Sequence, residues 1–252
     1  MSPVTIAKTA SKGGWKLWFD SYDAFSVGRG SSGTVLAIDD KLVIKTYVED
    51  EEGERDFRRE KAIYEILQSG TFSPYIVKFV EEWESGLVLE RLRGTLRSRL
   101  KEKVQPCLED RTQWIREACN GLGFLHENRI MHGDVGCHNF LVDYSGHVKL
   151  CDFAGSKREG ELARICYEIR GQHPDYKIGN PTIETEIFAL TDDFVREMFR
   201  RGKLPLSEVK CARMKSIIEE CWTEGYASVS HVSQALSSVP IRSKASPRRP
   251  GD

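Results

Sequence analysis

Two acidic residues and an amide lie close together in the stretch Ile130-Met131-His132-Gly133-Asp134-Val135-Gly136-Cys137-His138-Asn139-Phe140-Leu141-Val142 and, shortly after it, Lys149-Leu150-Cys151-Asp152-Phe153-Ala154-Gly155. Asp134, Asn139 and Asp152 each border an apolar, strand-like run, and the turn Asp143-Tyr144-Ser145-Gly146 folds the runs into a hairpin that makes the three converge. Oxygen ligands from Asn139 and Asp152 suit Mg²⁺, which favours carboxylate together with substrate phosphate. Asp134 is then left to orient or deprotonate an attacking hydroxyl.

A second set of groups lies upstream. Gly28-x-Gly30-x-x-Gly33-x-Val35 sits between two strand-like runs. Glycines there let backbone N–H groups approach phosphate oxygens with no Cβ in the way, and they serve a plain hairpin equally well. A dinucleotide-binding turn needs a helix directly after the last glycine, whereas Val35-Leu36-Ala37-Ile38 reads as a strand. Val43-Ile44-Lys45 sets one lysine in an apolar strand, and Glu60 falls where the apolar face of a helix turns toward the sheet. A Lys45–Glu60 pair aims an ammonium at phosphate oxygens as a point charge.

The elements that must carry these groups follow from periodicity. Strands are expected at 24–27, 34–38, 42–47, 76–83 and 87–90, with Asp39-Asp40 as a tight turn. Residues 53–68 read as a helix, with Phe57, Ile63 and Leu67 near one face and Gly70 as a stop. After residue 91 the texture turns helical: 111–127, with Trp114, Ala118, Leu122 and Leu125 on one face, then 183–199, 207–221 and 229–236. A strand-rich lobe before a helical one, hinged near residues 90–94, places a ligand in the cleft between them.

Composition bounds the class. A chain of 252 residues with 40% hydrophobic and 30% charged residues can bury a sizeable core. A net charge of -1 disfavours a globally basic nucleic-acid binder. No apolar run approaches the roughly 20 residues of a membrane span, and no apolar leader follows Met1. Seven cysteines, odd in number and without a C-x-x-C pair, fit reduced thiols in an intracellular setting, cytoplasmic or nuclear, and neither a disulfide framework nor a zinc site. Residues 1–23 are expected as a loosely held lead-in and 241–252 as a disordered tail.

The glycine loop, Lys45, Glu60, Asp134-x4-Asn139 and Asp152-Phe153-Ala154-Gly155, in this order, resemble a eukaryotic-type protein kinase domain, closest in wording to small kinase-like proteins of filamentous fungi. The resemblance spans roughly residues 24–238. It implies an α+β, two-lobed protein kinase-like fold: a small five-stranded N-lobe with one helix (24–91) and a larger, shortened helical C-lobe (92–240). It implies ATP and Mg²⁺ as cofactors and a protein substrate. By the same resemblance the glycine loop covers phosphates and Lys45, held by Glu60, grips them. Asn139 and Asp152 hold the metal and Asp134 positions the hydroxyl. Val35, Val43 and Leu141 sandwich adenine, Leu89 is the gatekeeper, and backbone groups of Glu90 and Leu92 meet the adenine edge. Tyr64, His132 and Phe153 stack between the lobes.

Four departures from the family pattern bear on activity. Gly133 stands where many protein kinases have an arginine that receives a loop phosphate, and Ser156 and Tyr167 are the only acceptors in 156–172, so control by phosphorylation of that loop is not expected. Gly136 replaces a lysine that steadies the transferring group; His138 can substitute in part, and transfer is expected to be slow. Ala154 replaces a glycine and narrows the backbone options. His173-Pro174-Asp175 best matches the family's Ala-Pro-Glu, and downstream Glu186 stands where the family has an aspartate that anchors the catalytic loop and Thr191 where it has glycine. Two alternatives stay open at this point: an ATP-binding pseudokinase scaffold, and a small-molecule kinase of the aminoglycoside or choline type, whose loop also reads His-Gly-Asp-x4-Asn. Nothing in the sequence specifies an oligomeric state.

Overall fold

The computed structural model describes residues 26–199 and 212–239, apart from 85, 105, 169–171 and 224, together with two short strands, β1 (Ala7–Lys8) and β2 (Trp15–Lys16), that pair antiparallel. The rest of the lead-in and the whole tail named above lie outside the described residues.

Five antiparallel strands form the N-terminal sheet: β3 (Ser26–Arg29), β4 (Gly33–Ala37), β5 (Leu42–Tyr47), β6 (Phe79–Trp83) and β7 (Gly86–Glu90), in the order β3-β4-β5-β7-β6. The turn between β4 and β5 is fixed by Asp39, whose Oδ1 accepts from the N–H groups of Lys41 and Leu42 at 2.7 and 2.8 Å. The strand expected to begin at Ile76 begins at Phe79. Ile76 instead makes a parallel bridge to Leu150 and ties the sheet's flank to the helical lobe.

Helix α1 (Glu51–Gln68) starts two residues before the expected position. Asp50 caps it by accepting from Gly53 N–H, and Glu51, Glu52 and Glu54 in the first turn complement the helix dipole. Its buried face, including Phe57, Glu60, Ile63, Tyr64 and Leu67, lies toward the sheet. Gly33 is needed where β4 meets β5: a Cβ there would fall 1.9 Å from the carbonyl oxygen of Thr46.

Beyond β7 the chain is mostly helical: α2 (Leu96–Leu100), α3 (Leu108–Glu127), α4 (Ile183–Phe199), α5 (Ala212–Trp222) and α6 (Val229–Ser237). Helix α3 begins three residues earlier than expected, because the Cys107 side chain and Asp110 form a capping box. The helix expected from 207 is seen from Ala212, and 207–211 lie outside the described residues. Short strands line the junction: β8 (Gly94–Thr95), β10 (Phe140–Val142) and β11 (Val148–Leu150) form one antiparallel sheet, and β9 (Ile130–Met131) pairs with β12 (Lys157–Arg158). One core cluster runs from Val43 and Tyr64 through Phe153 and Leu150 to Val239, so the sheet and helical parts share their packing. This is the α+β, two-lobed protein kinase-like fold, with a five-stranded antiparallel N-lobe.

Candidate active site

Lys45 on β5 lies opposite Val35 and Leu87 in the neighbouring strands, and its side chain is buried. A buried ammonium needs partners, and Nζ has two. It donates to Glu60 Oε2 of α1 at 2.6 Å and to Asp152 Oδ1 of the helical lobe at 2.6 Å. Burial alone would lower the lysine pKa. The carboxylates of Asp152 and Glu60 outweigh that and hold it well above the ordinary lysine range. Burial would likewise raise the Asp152 pKa, but Lys45 pulls it below the usual carboxylate value. Glu60, fully enclosed, is shifted upward by desolvation, with Lys45 opposing.

Glu60 has further donors. Tyr47 Oη, also on β5, donates to Oε2 at 2.7 Å, and the Phe153 backbone N–H donates to Oε1 at 3.2 Å. Glu60 therefore joins the sheet, α1 and the segment after Asp152. The Tyr47 contact was not read from the sequence, although a signal was present: residues i and i+2 of a strand share a face, so Tyr47 had to lie beside Lys45.

The expected ring stack is present. Tyr64 meets Phe153 edge-on at 5.0 Å, and His132 meets Phe153 edge-on at 5.7 Å. Phe79 extends the stack by lying over Tyr64 at 5.7 Å, a fourth member that the sequence reading did not single out.

Asp134 and Asn139 face the same junction. Asn139 Nδ2 donates to the Asp134 carbonyl at 2.8 Å and to Asp134 Oδ2 at 2.9 Å. Both partners are acceptors, which fixes the amide orientation and leaves Oδ1 as the oxygen available to a cation. His138 Nε2 lies 3.0 Å from Asp134 Oδ2. Burial would lower the imidazole pKa, but the hydrogen bond to Asp134 raises it above its ordinary value. The ring thus steadies the Asp134 carboxylate. Asp152 itself sits at φ +66°, a left-handed conformation rare outside glycine, and the Cys151 carbonyl before it lies 2.9 Å from His132 Nε2. The pair of oxygen-bearing side chains, Asn139 and Asp152, has the donor chemistry that a magnesium ion takes.

The backbone of the loop that carries Asp134 is anchored by Glu186 of α4. Its Oε1 accepts from Gly133 N–H at 2.7 Å and its Oε2 lies 2.6 Å from His126 Nε2, the carboxylate being fully buried. In the sequence Glu186 counts as a departure from the family's aspartate; its longer side chain reaches the Gly133 N–H all the same.

On the expected adenine side, Val43 faces Leu89 across β5 and β7, and Leu141 faces Thr95 across β10 and β8. Val35, Leu92 and Leu141 are half-buried against the core that contains Val43 and Leu89. The Glu90 side chain is engaged elsewhere: it accepts from Lys149 Nζ at 2.7 and 2.8 Å, which bolts the hinge to β11. Gly28, Gly30 and Gly33 flank the β3–β4 turn, where Gly30 N–H donates to the Gly33 carbonyl.

A five-stranded sheet with one helix, set on a helical lobe and joined through a Lys–Glu–Asp contact, is the architecture of the protein kinase class. The family model for the protein kinase domain matches residues 23–168, more than half of the chain, and the chain belongs to that family. It is similar to NUAK family SNF1-like kinase 2 of Homo sapiens, 29% identical over 193 residues, covering 73% of this chain and 30% of that protein. It is also similar to mitogen-activated protein kinase kinase kinase ANP1 of Arabidopsis thaliana, 31% identical over 155 residues, covering 55% of this chain and 23% of that protein. The chain spans less than a third of the length of these relatives. Among the described residues no helix is long and apolar enough to cross a membrane.

Proposed function

We propose that the chain transfers the γ-phosphoryl group of ATP to a Ser or Thr hydroxyl of a protein substrate, with Mg²⁺ present. The observation that carries this reading is the Lys45 ammonium between Glu60 and Asp152, which puts a fixed cation next to a carboxylate at the meeting of the two lobes. Lys45 grips the phosphates, Glu60 holds Lys45, and Asp134 receives and orients the hydroxyl. His138, by its contact with Oδ2, keeps that carboxylate turned toward the substrate side. Asn139 and Asp152 would hold the metal, which when bound neutralises charge on the phosphates. The glycine loop at 28–33 covers the phosphates. Val35, Val43, Leu89, Leu141 and the backbone of Glu90 and Leu92 receive the base. Residues 24–91 and 92–240 are the two lobes of this enzyme.

A protein substrate is supported by the relatives named as kinases of protein kinases, and slow turnover by Gly136, which provides no cation beside Asp134. Free cysteines among the described residues fit an intracellular setting.

Calorimetric titration tests the nucleotide reading. MgATP should bind the intact chain, and Asp152→Ala should abolish the Mg²⁺-dependent part of the affinity while the far-UV circular dichroism stays unchanged. Undiminished MgATP affinity in Asp152→Ala would refute the assignment.

A further inference from the structure

We propose that Arg59 and Glu161 form a permanent tether that holds α1 in the position its Glu60 needs, with no phosphate required to complete it. Arg59 is thus a positioning residue for the Lys45–Glu60 pair. The proposal rests on the kinase reading above and adds to it how the site is kept assembled.

Arg59 is the neighbour of Glu60 on α1, and its guanidinium reaches out to the segment that follows Asp152. Nη1 donates to the Ser156 carbonyl at 2.8 Å and to the Leu162 carbonyl at 3.3 Å, and lies 3.0 Å from Glu161 Oε2. Glu161 is also held from its own segment, because Arg158 Nε donates to Oε1 at 3.1 Å and Arg158 Nη2 pairs with the same oxygen. One carboxylate therefore sits between two guanidinium groups. A second strap runs the other way: Arg164 Nε lies 3.4 Å from Asp56 Oδ1, and Nη2 lies 3.7 Å from Glu52 Oε1, both on α1.

The same segment has no accessible place for a phosphate. Residues 156–172 contain two hydroxyls, Ser156 and Tyr167. Both residues are buried; Ser156 Oγ donates to the His132 carbonyl at 2.9 Å, and Tyr167 Oη lies 3.0 Å from Thr185 Oγ1. Gly133 supplies no guanidinium beside Asp134, and at φ +81° it occupies a conformation that side-chain-bearing residues rarely adopt. An anionic anchor that is always charged removes the need for a modification step.

Arg59 and Glu60 ride on one helix turn, so releasing the first lets the second leave Lys45. The intact 252-residue chain is assayed with MgATP and a Ser/Thr peptide mixture, beside Arg59→Ala, Glu161→Gln and the double variant. Amide hydrogen exchange across α1 is followed in each. Arg59→Ala should lower kcat/KM for MgATP about tenfold and Glu161→Gln about threefold, and the double variant should match Arg59→Ala, because coupled partners do not add. Exchange protection in α1 should fall in all three variants, and phosphatase treatment should leave the wild-type rate unchanged. Effects that multiply in the double variant, unaltered α1 protection in Arg59→Ala, or a wild-type rate lost to phosphatase would each overturn the tether. A wild-type chain that transfers no phosphate defeats the kinase reading instead, and the exchange measurement then decides the tether alone.

Discussion

The Tyr47 hydroxyl donates to Glu60 Oε2 at 2.7 Å, on the same carboxylate oxygen that accepts from Lys45. A buried carboxylate keeps its charge only when its lone pairs are filled, so Tyr47 shares with Lys45 the task of keeping Glu60 in place. The ring also stands edge-on to Phe57 of α1 at 5.5 Å, which fixes the hydroxyl's reach.

Tyr47→Phe removes that donor while preserving the ring contact. Hydrogen bonds to charged groups contribute about 1.5–3 kcal/mol, part of which Lys45 recovers, so Tm should fall by about 3 °C and kcat/KM for MgATP about fivefold. Steady-state kinetics at varied MgATP checks it. Unchanged kinetics would show that Glu60 needs no second donor.

Glu186 fills two buried donors from two different elements, Gly133 N–H and His126 Nε2. Glu186→Ala should leave both without an acceptor and cost roughly 3 kcal/mol, lowering Tm by about 8 °C. Differential scanning calorimetry reads this directly. A loss of under about 2 °C would mean that the catalytic loop is anchored by other contacts.

His147 Nδ1 lies 2.6 Å from Glu117 Oε1, and this hydrogen bond, opposed by modest desolvation, raises the imidazole pKa above its ordinary 6.5. A raised folded pKa stabilises the protonated form. The contact therefore contributes fully below about pH 6.5 and fades as pH rises through the folded value. The ring is 57% exposed, so the effect is that of a screened surface pair. His147→Ala should lower Tm by about 2 °C at pH 6 and by almost nothing at pH 9. A deficit that stays constant across that range would remove the charge from the explanation.

Much of this arrangement was legible in the sequence because strong local patterns carried it. A single lysine in the apolar run of β5 and a glutamate on the sheet-facing side of α1 signalled a pair, and the apolar periodicity of residues 183–199 gave α4 its observed bounds. Helix α2 was not legible, since five residues capped by the Thr95 hydroxyl are too short to show a period. The β9–β12 ladder, two residues long, likewise carries no alternation to read. Arg59, Phe79 and the Glu90–Lys149 pair escaped notice for another reason. Their partners lie far along the chain, so only the assembled fold brings them together.

Replacing Asp134 by asparagine, with phosphosites read by mass spectrometry after incubation with MgATP and a protein substrate, bears most directly on the role of this site. Asp134→Asn keeps the shape of the side chain and removes its basicity. Transfer to Ser and Thr should fall about 10³-fold, while MgATP affinity stays within about threefold of the intact chain. Equal transfer by both proteins would contradict the assignment of Asp134 as the group that positions the attacking hydroxyl.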